Sequence, residues 1–348
     1  MLVIHAGGLK GKVDGKLKQL SSKKFVAGSL LPLRNFAWLL VRVRNNLNPK
    51  PICSVEVPVI SVGNVTFGGT GKTPFSRWLA WQLSGMGHKP AILTPLEENA
   101  DEFREHSQMS WSGTVNRLLV YGGRDRVANA RRAIADGATV IVLDDGFQYR
   151  SLSRNLDIVL WDATDWLHPL NLLLREPLSS LRRTDCVVLS KADGVSETHR
   201  SQICERLERW AGKGKVVAGF DYQPAKVLKW EHGKVEAVEA KGWRAVVATS
   251  IANPLHFAKT VRKSGFEVAA LICFPDHHRF SASDAQFVND WAKRLRADCV
   301  LTTAKDFVKW QNVLRLNTAL LVLLVRLNWI WGENALLELI RRAVISGR

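Results

Sequence analysis

The stretch VPVISVGNVTFGGTGKTPFSRWLA, residues 57–80, decides the reading of the whole chain. Val57 to Val62 is a short, nearly continuous apolar run of strand length, and Pro74 to Ala80 is compatible with a helix. Between them lie Gly63, Gly68, Gly69 and Gly71, the last followed by Lys72-Thr73. Strand, glycine-rich loop, Gly-Lys-Thr and helix, in that order, form a cradle for nucleotide phosphates. Glycines let backbone N–H groups close around phosphate oxygens, and the start of the helix adds the positive end of its dipole. Gly68, Gly69, Thr70 and Gly71 would supply the cradle, Lys72 would reach the β- and γ-phosphates, and Thr73 can hold Mg²⁺. The strict spacing G-x-x-x-x-G-K-[ST] asks for glycine where Thr66 stands, and Gly68 and Gly69 supply the flexibility instead.

Working outward, a second apolar run, Ala138 to Leu143, ends in Asp144-Asp145-Gly146-Phe147-Gln148. Alone, Asp-Asp-Gly is a turn signal. Beside a phosphate loop, carboxylates at the end of a strand have a direct use in holding Mg²⁺ or its waters, so Asp144 and Asp145 join Thr73 as candidate metal residues. Further apolar runs at Lys89 to Thr94, Leu118 to Tyr121, Leu156 to Trp161 and Cys186 to Ser190 alternate with helix-sized segments. That rhythm predicts an α/β fold, a mostly parallel sheet with helices on both faces.

Around Tyr222 the rhythm breaks. Ala225 to Trp230 and Lys234 to Val238 flank His232-Gly233, which predicts a β-hairpin. Beyond it come Arg244 to Thr249, a helix from Pro254, Glu267 to Ile272, a helix from Ser283 and Asp298 to Thr303. The expected organisation is a P-loop domain over 49–222, a hairpin linker over 223–240 and a smaller C-terminal α/β domain over 241–348.

The ends of the composition exclude several classes. With 348 residues, 46% hydrophobic and 23% charged, the chain is long and apolar enough for about two packed domains. Five scattered cysteines, none in a C-x-x-C pair, argue against a disulfide framework or a zinc cluster. The longest apolar runs, such as Ala319 to Val325, are far short of a membrane span. A net charge of +17 favours polyanionic partners: nucleic acid, anionic lipid or a phosphorylated substrate.

Residues 1–28 carry Lys10, Lys12, Lys16, Lys18, Lys23 and Lys24 with little apolar periodicity, and are expected to form a flexible basic arm. In the next segment, 29–48, Leu33, Phe36, Ala37, Leu40, Val41 and Leu47 recur at three- and four-residue steps among Arg34, Arg42 and Arg44. This is an amphipathic helix, either docked on the protein's own core or lying on an anionic membrane, and the lysine-rich arm before it tilts the reading toward the membrane.

Together these residues resemble a known family, the tetraacyldisaccharide 4′-kinases of lipid A biosynthesis. The matching stretches are VPVISVGNVTFGGTGKTP (57–74), GGRDRVANARRA (122–133), VIVLDDGFQYRSLSRNLDIVLWDA (140–163), LREPLSSLRRTD (174–185), FPDHHRFSASD (274–284) and TTAKDFVKW (302–310). The resemblance implies a P-loop kinase that moves the γ-phosphoryl group of ATP, with Mg²⁺, to the 4′-hydroxyl of a tetraacylated glucosamine disaccharide 1-phosphate. It also implies peripheral binding to the cytoplasmic face of the inner membrane through the N-terminal helix, which accounts for the basic charge without nucleic acid. Asp101, in Asn99-Ala100-Asp101-Glu102, matches the family's carboxylate that acts on the attacking hydroxyl, with His277 or His278 as its partner. Such a pair is chemically sensible, because the histidine can hold the carboxylate and share the proton taken from the sugar. Arg124, Arg126, Arg175, Arg182 and Arg183 are candidate phosphate clamps.

Two rival readings remain at this level. Ser190-Lys191-Ala192-Asp193 is similar to the [NT]-K-x-D sequence that reads guanine, which would suit a GTP-dependent switch or metallochaperone. Nucleic-acid binding through the basic arm has only charge behind it, since the tryptophans and arginines form no RNA-binding signature.

Overall fold

The computed structural model describes residues 1–6, 52–66, 69–95, 118–164, 174–231, 234–275, 278–310, 313 and 318–345. The amphipathic segment 29–48 lies outside the described residues, as do Gly68, Asp101 and His277. The chain forms two compact units. From Ile52 to Asp221 and again from Leu327 the described residues belong to the first, and the first six residues with Tyr222–Arg326 belong to the second.

The chain opens on a strand, β1 (Leu2–His5), which corrects the expectation of a flexible arm starting at Met1. Leu2, Val3 and Ile4 are apolar and β-prone, and Ile4 is 1% exposed in the second unit's core. Burial outweighs the polar character of the residues that follow.

In the first unit β2 (Val59–Gly63), β3 (Pro90–Thr94), β5 (Val140–Asp144) and β7 (Cys186–Ser190) are buried along their whole length, as is β6 (Leu156–Asp162), while β4 (Leu119–Gly122) is the partly covered edge. With the opening of β8 (Val216–Glu231) they run in the order β8-β7-β6-β2-β5-β3-β4, and every pairing among them is parallel. Uninterrupted apolar strands demand cover on both faces, and helices α1 (Lys72–Gly85), α2 (Arg126–Ala135) and α3 (Glu197–Ala211) contribute buried side chains to it. After β2 the chain builds the sheet toward β4, and from β6 onward it builds the other way. The carboxyl end of β2 is therefore the switch point where such sheets bind ligands.

The second unit continues β8 into an antiparallel hairpin with β9 (Lys234–Ala237), in the expected place. β10 (Arg244–Thr249), α4 (Pro254–Lys263), β11 (Glu267–Cys273), α5 (Ala282–Arg294), β12 (Cys299–Thr303) and α6 (Ala304–Trp310) follow, close to the predicted bounds. Its parallel strands run β1-β11-β10-β12 and end on β13 (Ala319–Trp331).

β13 overturns the expected C-terminal boundary. Past Arg326 it enters the first unit, as does α7 (Glu333–Ile345), so 241–348 is not one domain. The reason is aromatic cover: Trp329 packs with its ring centroid 4.8 Å from Trp78 and 5.4 Å from Phe220, and Ile330 and Trp331 pack on the core under β6 and β7.

Candidate active site

The site is built at the carboxyl ends of β2 and β5, which lie side by side with Val62 opposite Asp144. Gly63 closes β2 where a β-carbon would come within 2.4 Å of the Phe147 side chain, so only glycine lets the Asp-Asp-Gly-Phe turn pack against it. Gly71 precedes α1 with φ 86°, a left-handed conformation suited to glycine, and no side chain caps the helix. The first-turn N–H groups thus carry no capping side chain, the arrangement that receives an anion. Around the loop Asn64, Thr66 and Thr70 are buried, and their side-chain polar atoms have no hydrogen-bond partner among the described residues. Such orphaned groups call for a polar ligand.

Charged residues converge just above. Lys72 Nζ stands 3.5 Å from Asp145 Oδ1, and Arg175 Nη1 lies 2.7 Å from both carboxylate oxygens of Asp145. Arg175 is held there by its backbone, which donates to Val65 O at 2.7 Å beside the Thr66–Leu174 bridge. Asp145 itself has φ 52°, and its carbonyl accepts from both terminal nitrogens of Arg126 at 3.2 Å. Burial pulls the Arg126 guanidinium below the ordinary arginine value, with Asp145 and Asp144 opposing the shift. Two cations gathered on one carboxylate at an uncapped helix start make a position suited to phosphate oxygens.

Asp144 plays a different part. It is 1% exposed, accepts from Ser76 Oγ at 2.9 Å and lies 3.5 Å from Thr73 Oγ1. Thr73 and Asp144 therefore adjoin as expected, whereas the carboxylate of Asp145 is engaged by Lys72 and Arg175. Among the described residues there is no group of three or more His, Cys, Asp or Glu able to hold a metal. A cation here would take oxygen from one hydroxyl and one carboxylate, completed by phosphate and water, the donor set that suits Mg²⁺.

The remaining sequence candidates separate. Arg183 is committed to structure, bonded to Glu176 at 2.6 and 2.8 Å and to Phe147 O, with its guanidinium 3.7 Å from the Phe147 ring centroid. Arg124 and Arg182 are exposed. In the second unit His278 Nε2 lies 3.0 Å from Asp284 Oδ2, and its ring stacks on Phe274. Ser76 and Gln148, which donates to Asn64 O at 2.9 Å, escaped the sequence reading. Ser76 had a signal, since it falls three residues after Thr73 on the same helical face.

The family model described as tetraacyldisaccharide-1-P 4′-kinase matches residues 26–95 and 109–345. The tetraacyldisaccharide 4′-kinase of Syntrophus aciditrophicus is 33% identical over 294 residues, spanning 74% of this chain and 76% of that protein. That of Halothermothrix orenii is 32% identical over 324 residues, 83% of each chain. In three dimensions the chain is similar to a crystal structure of LpxK from Aquifex aeolicus in complex with ATP, with a TM-score of 0.60 and 24% identity over 92% of this chain and 100% of that one, a likeness of fold. A match that takes in both units, P-loop and C-terminal motifs alike, leaves one conclusion: the chain belongs to the tetraacyldisaccharide 4′-kinase family, the kinases of lipid A biosynthesis.

Proposed function

We propose that this chain transfers the γ-phosphoryl group of ATP to the 4′-hydroxyl of a tetraacylated glucosamine disaccharide 1-phosphate. The observation that carries the reading is the meeting of Lys72 and Arg175 on Asp145, directly above the uncapped start of α1. Phosphoryl transfer asks a protein mainly for positioning and charge neutralisation. The helix start and loop amides hold the phosphates, and Lys72 and Arg175 exchange the Asp145 carboxylate for phosphate oxygens. Thr73 and Asp144 would hold Mg²⁺, which when bound neutralises charge on the β- and γ-phosphates. Ser76 fixes the Asp144 carboxylate, so the oxygen offered to the cation is already oriented.

At the acceptor end, the family resemblance supports Asp101 as the group acting on the sugar hydroxyl, partnered by His277 or His278. His278 already has a carboxylate partner in Asp284. Membership of a lipid A family and a charge of +17 support peripheral binding at the anionic cytoplasmic face of the inner membrane. No helix among the described residues is long and apolar enough to cross a membrane.

The test is incubation of the purified chain with labelled ATP, Mg²⁺ and tetraacylated disaccharide 1-phosphate. A labelled bisphosphorylated lipid is expected, absent with Lys72→Ala. ATP turnover without that lipid would overturn the assignment of acceptor.

A further inference from the structure

The turn that follows β5 carries Asp144 and Asp145, and its backbone carbonyls are held as closely as its side chains. Asp145 has φ 52°, a left-handed conformation that a β-carbon disfavours, so the contacts around it must offset strain. Guanidinium groups supply them on alternate residues. Arg126 donates to Asp145 O at 3.2 Å, Arg183 donates to Phe147 O at 2.9 Å, and Arg154 donates to Tyr149 O. The three come from separate places in the fold: Arg126 opens α2, Arg154 lies just ahead of β6, and Arg183 ends the short helix Leu178–Arg183 that leads to β7.

Of these, Arg183 also grips the segment that bears Arg175. Its Nη1 and Nη2 donate to the two carboxylate oxygens of Glu176 at 2.6 and 2.8 Å, the paired geometry special to arginine, and its guanidinium lies 3.7 Å from the Phe147 ring centroid. Glu176 follows Arg175, whose Nη1 lies 2.7 Å from both carboxylate oxygens of Asp145. One guanidinium therefore ties the carbonyl two residues after Asp145 to the carboxylate one residue after Arg175. With both terminal nitrogens spent on these partners, Arg183 acts through its neighbours. We propose that Arg183 is a positioning residue for phosphoryl transfer, fixing Arg175 against the Asp144-Asp145 turn so that the Arg175 guanidinium meets the phosphate oxygens in register. This assignment rests on the reading of Arg175 as a phosphate ligand in the preceding section. Small displacements of a positioned group are costly, which gives such a tie its use.

A double-mutant cycle on the full chain tests this, with wild type, Arg183→Gln, Arg175→Ala and the pair each read for ATP affinity in the presence of Mg²⁺ and for the rate of transfer. Arg183→Gln is expected to weaken ATP about tenfold on its own and less than about twofold once Arg175 is gone, because the group it positions is then missing. A merely structural role would cost the same in both backgrounds. Glu176→Gln cuts the same tie from its other end and should show the same dependence, and it decides the matter if circular dichroism shows Arg183→Gln unfolded. Arg182→Gln removes the same charge from an exposed neighbour and should leave ATP affinity near that of the wild type. Losses that are independent of Arg175, or a loss in Arg182→Gln equal to that in Arg183→Gln, would overturn the positioning role. A wild type that binds ATP but forms no bisphosphorylated lipid would overturn the acceptor assignment alone, with the cycle still decided on affinity. A wild type that binds no ATP would overturn the phosphate-loop reading and this assignment with it.

Discussion

At the scale of single residues, Lys72, Thr73 and Asp144 gather where α1 starts and β5 ends, and the structure shows how they are held. Lys72→Ala removes one of two cations from the phosphate position and takes no side chain out of the apolar core. Transfer should fall by roughly a thousandfold, the scale seen when a preorganised charge is removed from a transition state, while circular dichroism stays unchanged. Near-normal turnover would take the loop out of the mechanism. Asp144→Asn keeps the bond from Ser76 but offers the cation a neutral oxygen. The Mg²⁺ concentration for half-maximal rate should rise about ten- to a hundredfold, and an unshifted Mg²⁺ curve would count against Asp144 as a ligand. Asp145 shows where residue type stops being informative. Two adjacent aspartates look alike in sequence, and only the positive φ of the second separates a carboxylate beside Thr73 from one aimed at Lys72 and Arg175.

At the scale of elements, two of the motifs that carry the resemblance also stabilise their own elements. TTAKDFVKW runs from β12 into α6 and buries Asp306, which accepts from Thr249 at 2.7 Å, Ser250 N at 3.0 Å and Thr303 at 2.9 Å. FPDHHRFSASD ends in the capping box of α5, where Asp284 bonds both Ser281 and His278. Partial burial works against the charged form of Asp284, but the hydrogen bonds from His278 and Ser281 outweigh it and hold its carboxyl below the usual aspartate value. A carboxyl lowered by folding adds stability above its unfolded value, near pH 4, and loses it as pH falls through the folded one. Asp284→Asn should therefore reduce stability at neutral pH and flatten its decline on acidification, and a parallel acid limb in chemical denaturation would refute this. The sequence made most elements legible, because apolar runs such as Val140 to Leu143 and the cap-rich start of α5 are local signals. β1 was not legible: three apolar residues at the head of a lysine-rich segment carry no period, and only pairing with β11 makes them a strand. Ile4→Ala should cost about 2–4 kcal/mol in urea unfolding, whereas a flexible arm would lose nothing.

At the scale of the whole molecule, the excess of basic residues sets what the chain can approach. A charge of +17 draws it to anionic surfaces, and that attraction fades within a Debye length of about 8 Å at physiological salt. Charge alone therefore gives weak, salt-sensitive binding, and apolar insertion must add to it if the protein is to work on a lipid. The segment 29–48 has the residues for insertion in Leu33, Phe36 and Leu40. Removing residues 1–47 would be a poor test, because it also strips β1 from β11 and leaves an apolar edge open. Replacing Leu33, Phe36 and Leu40 by serine leaves β1 and the charge intact. The wild-type chain should sediment with anionic vesicles and bind neutral ones weakly, its binding declining as salt rises. The triple variant should bind less at every salt concentration, with the largest relative loss at high salt, where only insertion remains. Equal sedimentation of the two proteins across the salt series would assign membrane attraction to charge alone and leave Leu33, Phe36 and Leu40 without a part in it.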